Sequence, residues 1–293
     1  MWLAFAFLSA FLLGLYDVCK KSALKDNAVV PVLFLNTLFS TAIFLPFILT
    51  SAEPVTWAVH RYILVKSCIV LSSWLFGYFA MKHLPLTIVG PVNATRPVMV
   101  LVGAMLLFGE RLNLYQWIGV SLAVFSFFLL SRSGRKEGID FGHNRWIWFL
   151  ILAALLGAAS GLYDKFLMAS ASEGGVGLRP IVVQSWFNLY QCLMMGVVLV
   201  LLWWPVRRQT TPFRWSWSIP LISLFLAAAD ASYFYSLSMS GAMISIVSMV
   251  RRGSVIVSFL AGALLFGEKN LRSKAVDLLL VLLAMLFLWV GTH

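Results

Sequence analysis

Four polar side chains inside long apolar stretches have the chemistry to hold an anion. Asn93 and Arg96 stand three residues apart between Pro91 and Pro97. Arg251 and Arg252 stand adjacent within Ser248-Met249-Val250-Arg251-Arg252-Gly253-Ser254. A guanidinium grips carboxylate or phosphate through paired N–H donors. Neighbouring residues on a helix point about 100° apart, so one of Arg251 and Arg252 can face the side that Arg96 faces. Three acids also fall in apolar stretches: Asp17, Asp164 and Asp230. They can exchange protons, meet an amine, or serve only as ion-pair partners for Lys21, Lys165 or an arginine. Asp17 lies four residues before Lys21, on one helical face. Asp277 sits about a turn inside its stretch and could reach its head group to the surface. Tyr16 and Tyr163, each preceding an acid, together with Trp74, Tyr78, Trp186, Tyr190, Tyr233 and Tyr235, offer stacking walls. Single aromatics of this kind also form ordinary interfacial belts.

The elements that carry these residues must lie in lipid. Of the 293 residues, 61% are hydrophobic and 11% charged, where a soluble domain has roughly 25% charged. Apolar runs near 18 residues read as spans, and runs such as Ile43–Leu49 do not alternate as barrel strands do. The expectation is therefore an all-α polytopic membrane protein. Ten spans are expected at about 2–22, 29–50, 61–81, 86–108, 113–131, 145–169, 180–204, 217–237, 242–266 and 272–291. A charge at mid-bilayer costs roughly 2.5–3.5 kcal/mol, so the buried Arg and Asp should face a cavity or one another.

The spans repeat. Gly14-Leu15-Tyr16-Asp17 returns as Gly161-Leu162-Tyr163-Asp164, an offset of 147, and Phe34-Leu35-Asn36 as Trp186-Phe187-Asn188, an offset of 152. Tyr78-Phe79 returns as Tyr233-Phe234, offset 155, and Leu106-Leu107-Phe108-Gly109-Glu110 as Leu264-Leu265-Phe266-Gly267-Glu268, offset 158. Offsets that rise in chain order fit one duplication with small insertions. The halves are 1–134 and 145–293, joined by a loop at 135–144. Five spans per half is odd, so the second half enters the membrane inverted. Inverted repeats with interrupted, polar helices at matching places mark transporter sites near the midplane. Asn93–Arg96 and Arg251–Arg252 are such a pair, 158 residues apart. Asn36 and Asn188 are a second matched pair.

The run ending Leu107-Phe108-Gly109-Glu110-Arg111-Leu112, its echo Leu265-Phe266-Gly267-Glu268-Lys269, and the stretch from Tyr78-Phe79-Ala80 to Leu84-Pro85 resemble the ten-helix, EamA-type members of the drug/metabolite transporter superfamily. The resemblance implies a central cavity walled by the first four helices of each half, with the fifth and tenth peripheral. Known relatives carry amino acids, sugars, nucleotide sugars, organic phosphates and drugs.

The expected function is secondary transport of a small polar metabolite, anionic or zwitterionic, by alternating access, with proton coupling or exchange. A flippase or exporter of an amphipathic compound is the alternative. No P-loop, metal spacing or nucleophile elbow appears, so neither an enzyme site nor a cofactor is expected. The partners would be a small-molecule substrate and the lipid bilayer, with no nucleic acid, in a monomer or homodimer. The net charge of +11 resides mostly at helix ends. Fourteen of the 22 Lys and Arg lie by odd-numbered connections and four by even ones. The positive-inside rule then places the odd connections in the cytoplasm and both termini outside. Gly109-Glu110 and Gly267-Glu268 read as helix-terminal punctuation with polar anchoring, and Cys19, Cys68 and Cys192 as buried free thiols.

Overall fold

The computed structural model describes residues 2–50, 55–96, 98–99, 102, 113–135, 139, 141–168, 175–238, 250–268 and 271–291. Among them the chain is helical, with no strand. Helix α1 is Trp2–Leu24, α2 Val29–Thr50, α3 Trp57–His83 and α4 Leu86–Ala94. Then come α5 Leu114–Arg135, α6 Arg145–Met168 and α7 Pro180–Val198, which runs on into a π-helical turn at Leu199–Trp203. Last are α8 Ser218–Ser238, α9 Ser254–Leu265 and α10 Leu271–Val290. By length and composition, α1, α2, α3, Arg145–Asp164 of α6 and Pro180–Trp203 can each cross a bilayer.

The surface of the bundle carries many large apolar side chains, and small polar residues are buried among the apolar ones inside. Phe7, Phe11, Val124, Phe128, Leu201 and Leu264 are exposed, while Ser9, Asn36, Ser67, Asn188, Gln191 and Ser258 are buried. Such an inversion suits helices solvated by hydrocarbon, where small residues let backbones approach and polar groups bond across helices. Ser9 Oγ donates to the Ala229 carbonyl at 2.7 Å, Ser73 Oγ to Ala153 at 2.7 Å, and Thr41 Oγ1 to Asn188 at 2.9 Å. Each of these bonds joins one half of the chain to the other.

The principal packing is also between halves. Helix α1 lies on α8, α2 on α7, α3 on α6, α4 on α9 and α5 on α10. One apolar core accordingly draws Leu33, Tyr78 and Ile88 from the first half and Ile147, Leu150 and Ile222 from the second. A close approach falls at Gly14, where a Cβ would lie 2.4 Å from the Val257 Cβ and 3.2 Å from the Ser254 carbonyl. The first glycine of the repeated Gly-Leu-Tyr-Asp sequence is thus what lets α1 seat against α9.

Overpacking a close-packed contact costs about 1–3 kcal/mol. Gly14→Ala should lower the midpoint of thermal denaturation in detergent. Gly196→Ala, whose Cβ would find Phe34 Cε2 at an ordinary 3.6 Å, should leave the midpoint unchanged or raise it, since alanine favours a helix by about 0.5–1 kcal/mol.

Candidate functional site

Two helix breaks, one per half, define the site. Pro91 and Pro97 each lack the N–H that would bond back to the carbonyl four residues earlier. Helix α4 accordingly stops at Ala94 with Thr95 as its C-cap, and Thr95 Oγ1 bonds back to the Val92 carbonyl at 2.7 Å. In the second half Val250–Arg252 is helical, the turn falls at Gly253, and α9 restarts at Ser254. Thr95 and Gly253 are 158 residues apart, the same offset as the Gly-Glu repeat. Gly90 makes the meeting of these helices possible, because a Cβ there would come within 2.9 Å of Val255 Cγ2. Ser248 and Met249, and the Leu107–Leu112 stretch with Glu110, lie outside the described residues.

Helix α4 is nine residues long and its N-cap is Pro85, which offers no side-chain acceptor. The cap comes from the other half. Glu268 accepts from the Leu86 N–H through Oε1 at 2.6 Å and from the Thr87 N–H through Oε2 at 2.8 Å. A carboxylate at this end satisfies orphan donors and opposes the positive pole of the helix. Lys274 Nζ, fully buried, donates to Thr87 Oγ1 at 2.8 Å on the same turn. The polar anchoring read into Gly267-Glu268 is therefore a clamp from the second half on the helix that carries Asn93.

Beside the two breaks lies a cavity of about 210 Å³. Its wall includes Tyr16, Asp17 and Lys20 of α1, Trp74 of α3, Asn93 and Arg96, and Arg252 with Ser254. Within it Asp17 Oδ2 accepts from Ser258 Oγ at 2.9 Å. Lys20 Nζ rests on the Tyr78 ring, 4.2 Å from its centroid, and reaches the Tyr16 hydroxyl at 3.4 Å. Arg96 lies against Gly157, where a Cβ would stand 2.9 Å from Cζ. Among the described residues, Asn93 Oδ1 and Arg96 Nε are buried with no hydrogen-bond partner. Buried polar atoms left open are costly, and here they adjoin a space that a ligand can fill.

Of the residues singled out in the sequence, Asn93, Arg96, Arg252, Tyr16, Trp74 and Asp17 share this cavity, and Tyr78 is buried behind it with its ring under Lys20. The others stand apart. Arg251 pairs with Asp230 and lies over the Tyr233 ring at 4.6 Å. Asp164 pairs with Lys66, and Tyr163 OH donates to the Tyr62 carbonyl at 3.3 Å. Asn36 Oδ1 accepts from Ser223 at 2.8 Å, and Asn188 Nδ2 donates to the Gln184 carbonyl at 2.9 Å. These two asparagines lie at helix–helix contacts outside the cavity wall. The side chain of Lys165 is outside the described residues.

Three readings of the charges change. Lys21 does not pair with Asp17; its ammonium bonds the carbonyls of Met81 and Leu84, the unpaired acceptors at the C-terminal end of α3. Asp277 does not reach the surface and is 2% exposed. Lys20 and Lys66, which the sequence assigns to helix ends, are both buried. The signal for Lys20 was its i, i+4 spacing from Tyr16, which brings an ammonium to a ring face. Nothing local marks Lys66, whose partner is 98 residues away.

Residues 1–132 match the EamA-like transporter family. An uncharacterized transporter of Archaeoglobus fulgidus is 25% identical over 181 residues, which are 61% of this chain and 60% of the relative. The match thus spans about three fifths of that protein's length. A solved crystal structure shares the fold with a TM-score of 0.58 at 17% identity, covering 97% of this chain and 98% of its own.

Losing a helix N-cap costs about 0.5–2 kcal/mol. Glu268→Ala should lower the thermal midpoint in detergent by that measure. Glu268→Gln, which keeps one acceptor, should lower it less.

Proposed function

We propose, from the membership of residues 1–132 in the EamA-like transporter family, that the chain is a secondary transporter of a small anionic metabolite. It is a multi-pass membrane protein, and its ten spans form two inverted five-helix repeats, 1–134 and 145–293, that alternate access to the cavity. Three observations support the repeat. The helix breaks at Thr95 and Gly253 are spaced as the sequence duplication is. The helix pairing is unchanged when each helix is exchanged with the one five places on, since α1–α8 becomes α6–α3 and the other pairs map onto themselves. Large hydrophobic side chains are exposed on helices of both halves.

The observation that carries the functional reading is that Arg96 and Arg252, one from each broken helix, line a single cavity. Arg96 has a buried Nε without a partner there. A guanidinium in such a place is complementary to a carboxylate or phosphate. Asp17, held by Ser258 at 2.9 Å, is the carboxylate placed to exchange a proton or meet a substrate amine. Trp74 and Tyr16 supply flat apolar walls. Asp164 and Asp230, each in an ion pair with a basic residue, belong to the framework.

The membrane is the plasma membrane, the inner one, with both termini outside. Lys20 and Lys274 by odd connections and Lys66 by an even one are buried, so they do not meet lipid head groups. Discounting them leaves 14 − 2 = 12 basic residues against 4 − 1 = 3, and the bias keeps its sign.

The test is uptake of labelled anionic metabolites into proteoliposomes. A lost hydrogen bond to a charged group costs about 1.5–3 kcal/mol, so Arg96→Ala and Arg252→Ala should each cut uptake about 10- to 100-fold. Asp17→Asn should flatten its dependence on pH. Uptake that persists unchanged through all three replacements would refute the assignment.

A further inference from the structure

We propose that the connection between α7 and α8 binds an anionic phospholipid, with the phosphate at Trp203 and Arg207 and an acyl chain along the outer side of α7. Leu193, Val197, Val200 and Trp204 are exposed, at spacings of four, three and four that keep them on one side of the helix. Trp204 stands eleven residues beyond Leu193, about 16 Å at the helical rise. That length matches the hydrocarbon of one leaflet, half of roughly 30 Å. The stripe ends at the π-helical turn Leu199–Trp203, which the Trp204 N–H closes on the Leu199 carbonyl at 2.9 Å. Such turns occur frequently at functional sites. Two N–H donors stand there without an acceptor among the described residues: Trp203 Nε1 and Arg207 Nη1. They are four residues apart in a segment that keeps turning, since the Val206 N–H bonds the Trp203 carbonyl at 3.1 Å. The Arg207 guanidinium lies over the Trp204 ring, 3.9 Å from its centroid.

The charge on this connection is of one sign. Arg208 and Arg214 are exposed beside Arg207, and no Asp or Glu occurs between Glu173 and Asp230. Among the described residues no carboxylate pairs with any of the three arginines. The connection is also tethered. Asn27, itself buried, accepts from the Arg214 N–H at 2.9 Å and donates to the Arg214 carbonyl at 2.7 Å, and Lys82 Nζ donates to Thr211 Oγ1 at 2.9 Å. A segment already held in place loses little freedom when a ligand docks on it. A guanidinium favours a phosphodiester, and a tryptophan at the membrane boundary turns its apolar body to the chain and its N–H to the head. Three positive charges without an acid favour a head group of net negative charge over a zwitterionic one. A free phosphate would meet the donors and leave the stripe on α7 uncovered; a phospholipid covers both. The site is separate from the cavity and independent of what the cavity binds.

Dioleoylphosphatidylglycerol and dioleoylphosphatidylcholine test the proposal, since they share their chains and differ by one net charge. Each is titrated into the full-length protein in neutral detergent, and binding is read from the rise of the thermal midpoint. One basic side chain near an anionic head is worth about fivefold, so with three the phosphatidylglycerol should act at a concentration lower by at least about tenfold. Arg207→Gln, and Trp203→Phe, which keeps a ring and removes the donor, should each raise the phosphatidylglycerol concentration required by about fivefold, the worth of one hydrogen bond. Arg61→Gln, which removes an exposed charge from α3, should leave it unchanged. Equal potency of the two lipids, or no effect of either, overturns the proposal. Glycerol phosphate acting at the same concentration as phosphatidylglycerol shows a soluble-phosphate site and overturns the lipid as occupant. An unchanged requirement in whichever of the two site variants folds overturns the placement at Trp203 and Arg207. So does a requirement raised as much by Arg61→Gln, which would make the effect one of overall charge.

Discussion

A charge inside the hydrocarbon layer must be met by an opposite charge, a carbonyl, a ring face or water, and the bundle is arranged around that demand. Asp164 finds Lys66, Asp230 finds Arg251, Lys21 finds two carbonyls at the end of α3, and Lys20 finds the face of Tyr78. Each contact fixes how one helix sits against another. Lys66–Asp164 ties α3 to α6, and Lys21 ties α1 to α3. What these contacts leave over is as informative as what they join. Lys20, Arg96, Arg252 and Asp17 are the charged side chains on the cavity wall.

The backbone obeys the same rule. A helix interrupted in lipid strands carbonyls and N–H groups that need partners, and α4 is interrupted at one end by prolines and begun at the other by Pro85, which has no side-chain acceptor. The protein answers at the start of α4 with Glu268 from the opposite half, and Lys274 holds Thr87 on the same turn. The cost of opening α4 where Asn93 and Arg96 stand is thus offset by contacts some six to ten residues away along the same chain segment. A short helix capped from the second half links the position of Asn93 and Arg96 to that half of the molecule.

The two halves are alike in sequence and unlike in their ion pairs. Asp17 and Asp164 hold matching places in the Gly-Leu-Tyr-Asp repeat. One accepts from Ser258 in the cavity, and the other is closed off by Lys66. The difference lies in the packed neighbours. Helix α1 meets α9 closely through Gly14, which brings Ser258 to Asp17, while α6 meets α3, which carries a lysine at the right height. Adjacent arginines divide in the same way: the turn of the helix sends Arg251 to Asp230 and Arg252 to the cavity wall.

The sequence by itself marked the membrane class, the matched short motifs and the site of the two helix breaks. Hydrophobic run length, repeat spacing and the missing N–H of proline are properties of the chain alone. It also marked Asn93, Arg96 and an arginine at 251 or 252 as the polar heart of the molecule, because a cation in an apolar stretch needs a reason wherever it packs. Only the tertiary structure decided which charges are spent on one another and which are left open. Lys20 and Lys66 read as helix-end residues until the packing buried them, and Asp277 read as able to reach the surface until α10 turned it inward. Counter-charges here lie up to 98 residues apart in the chain, and periodicity within one helix carries no information about which face of another helix it will meet.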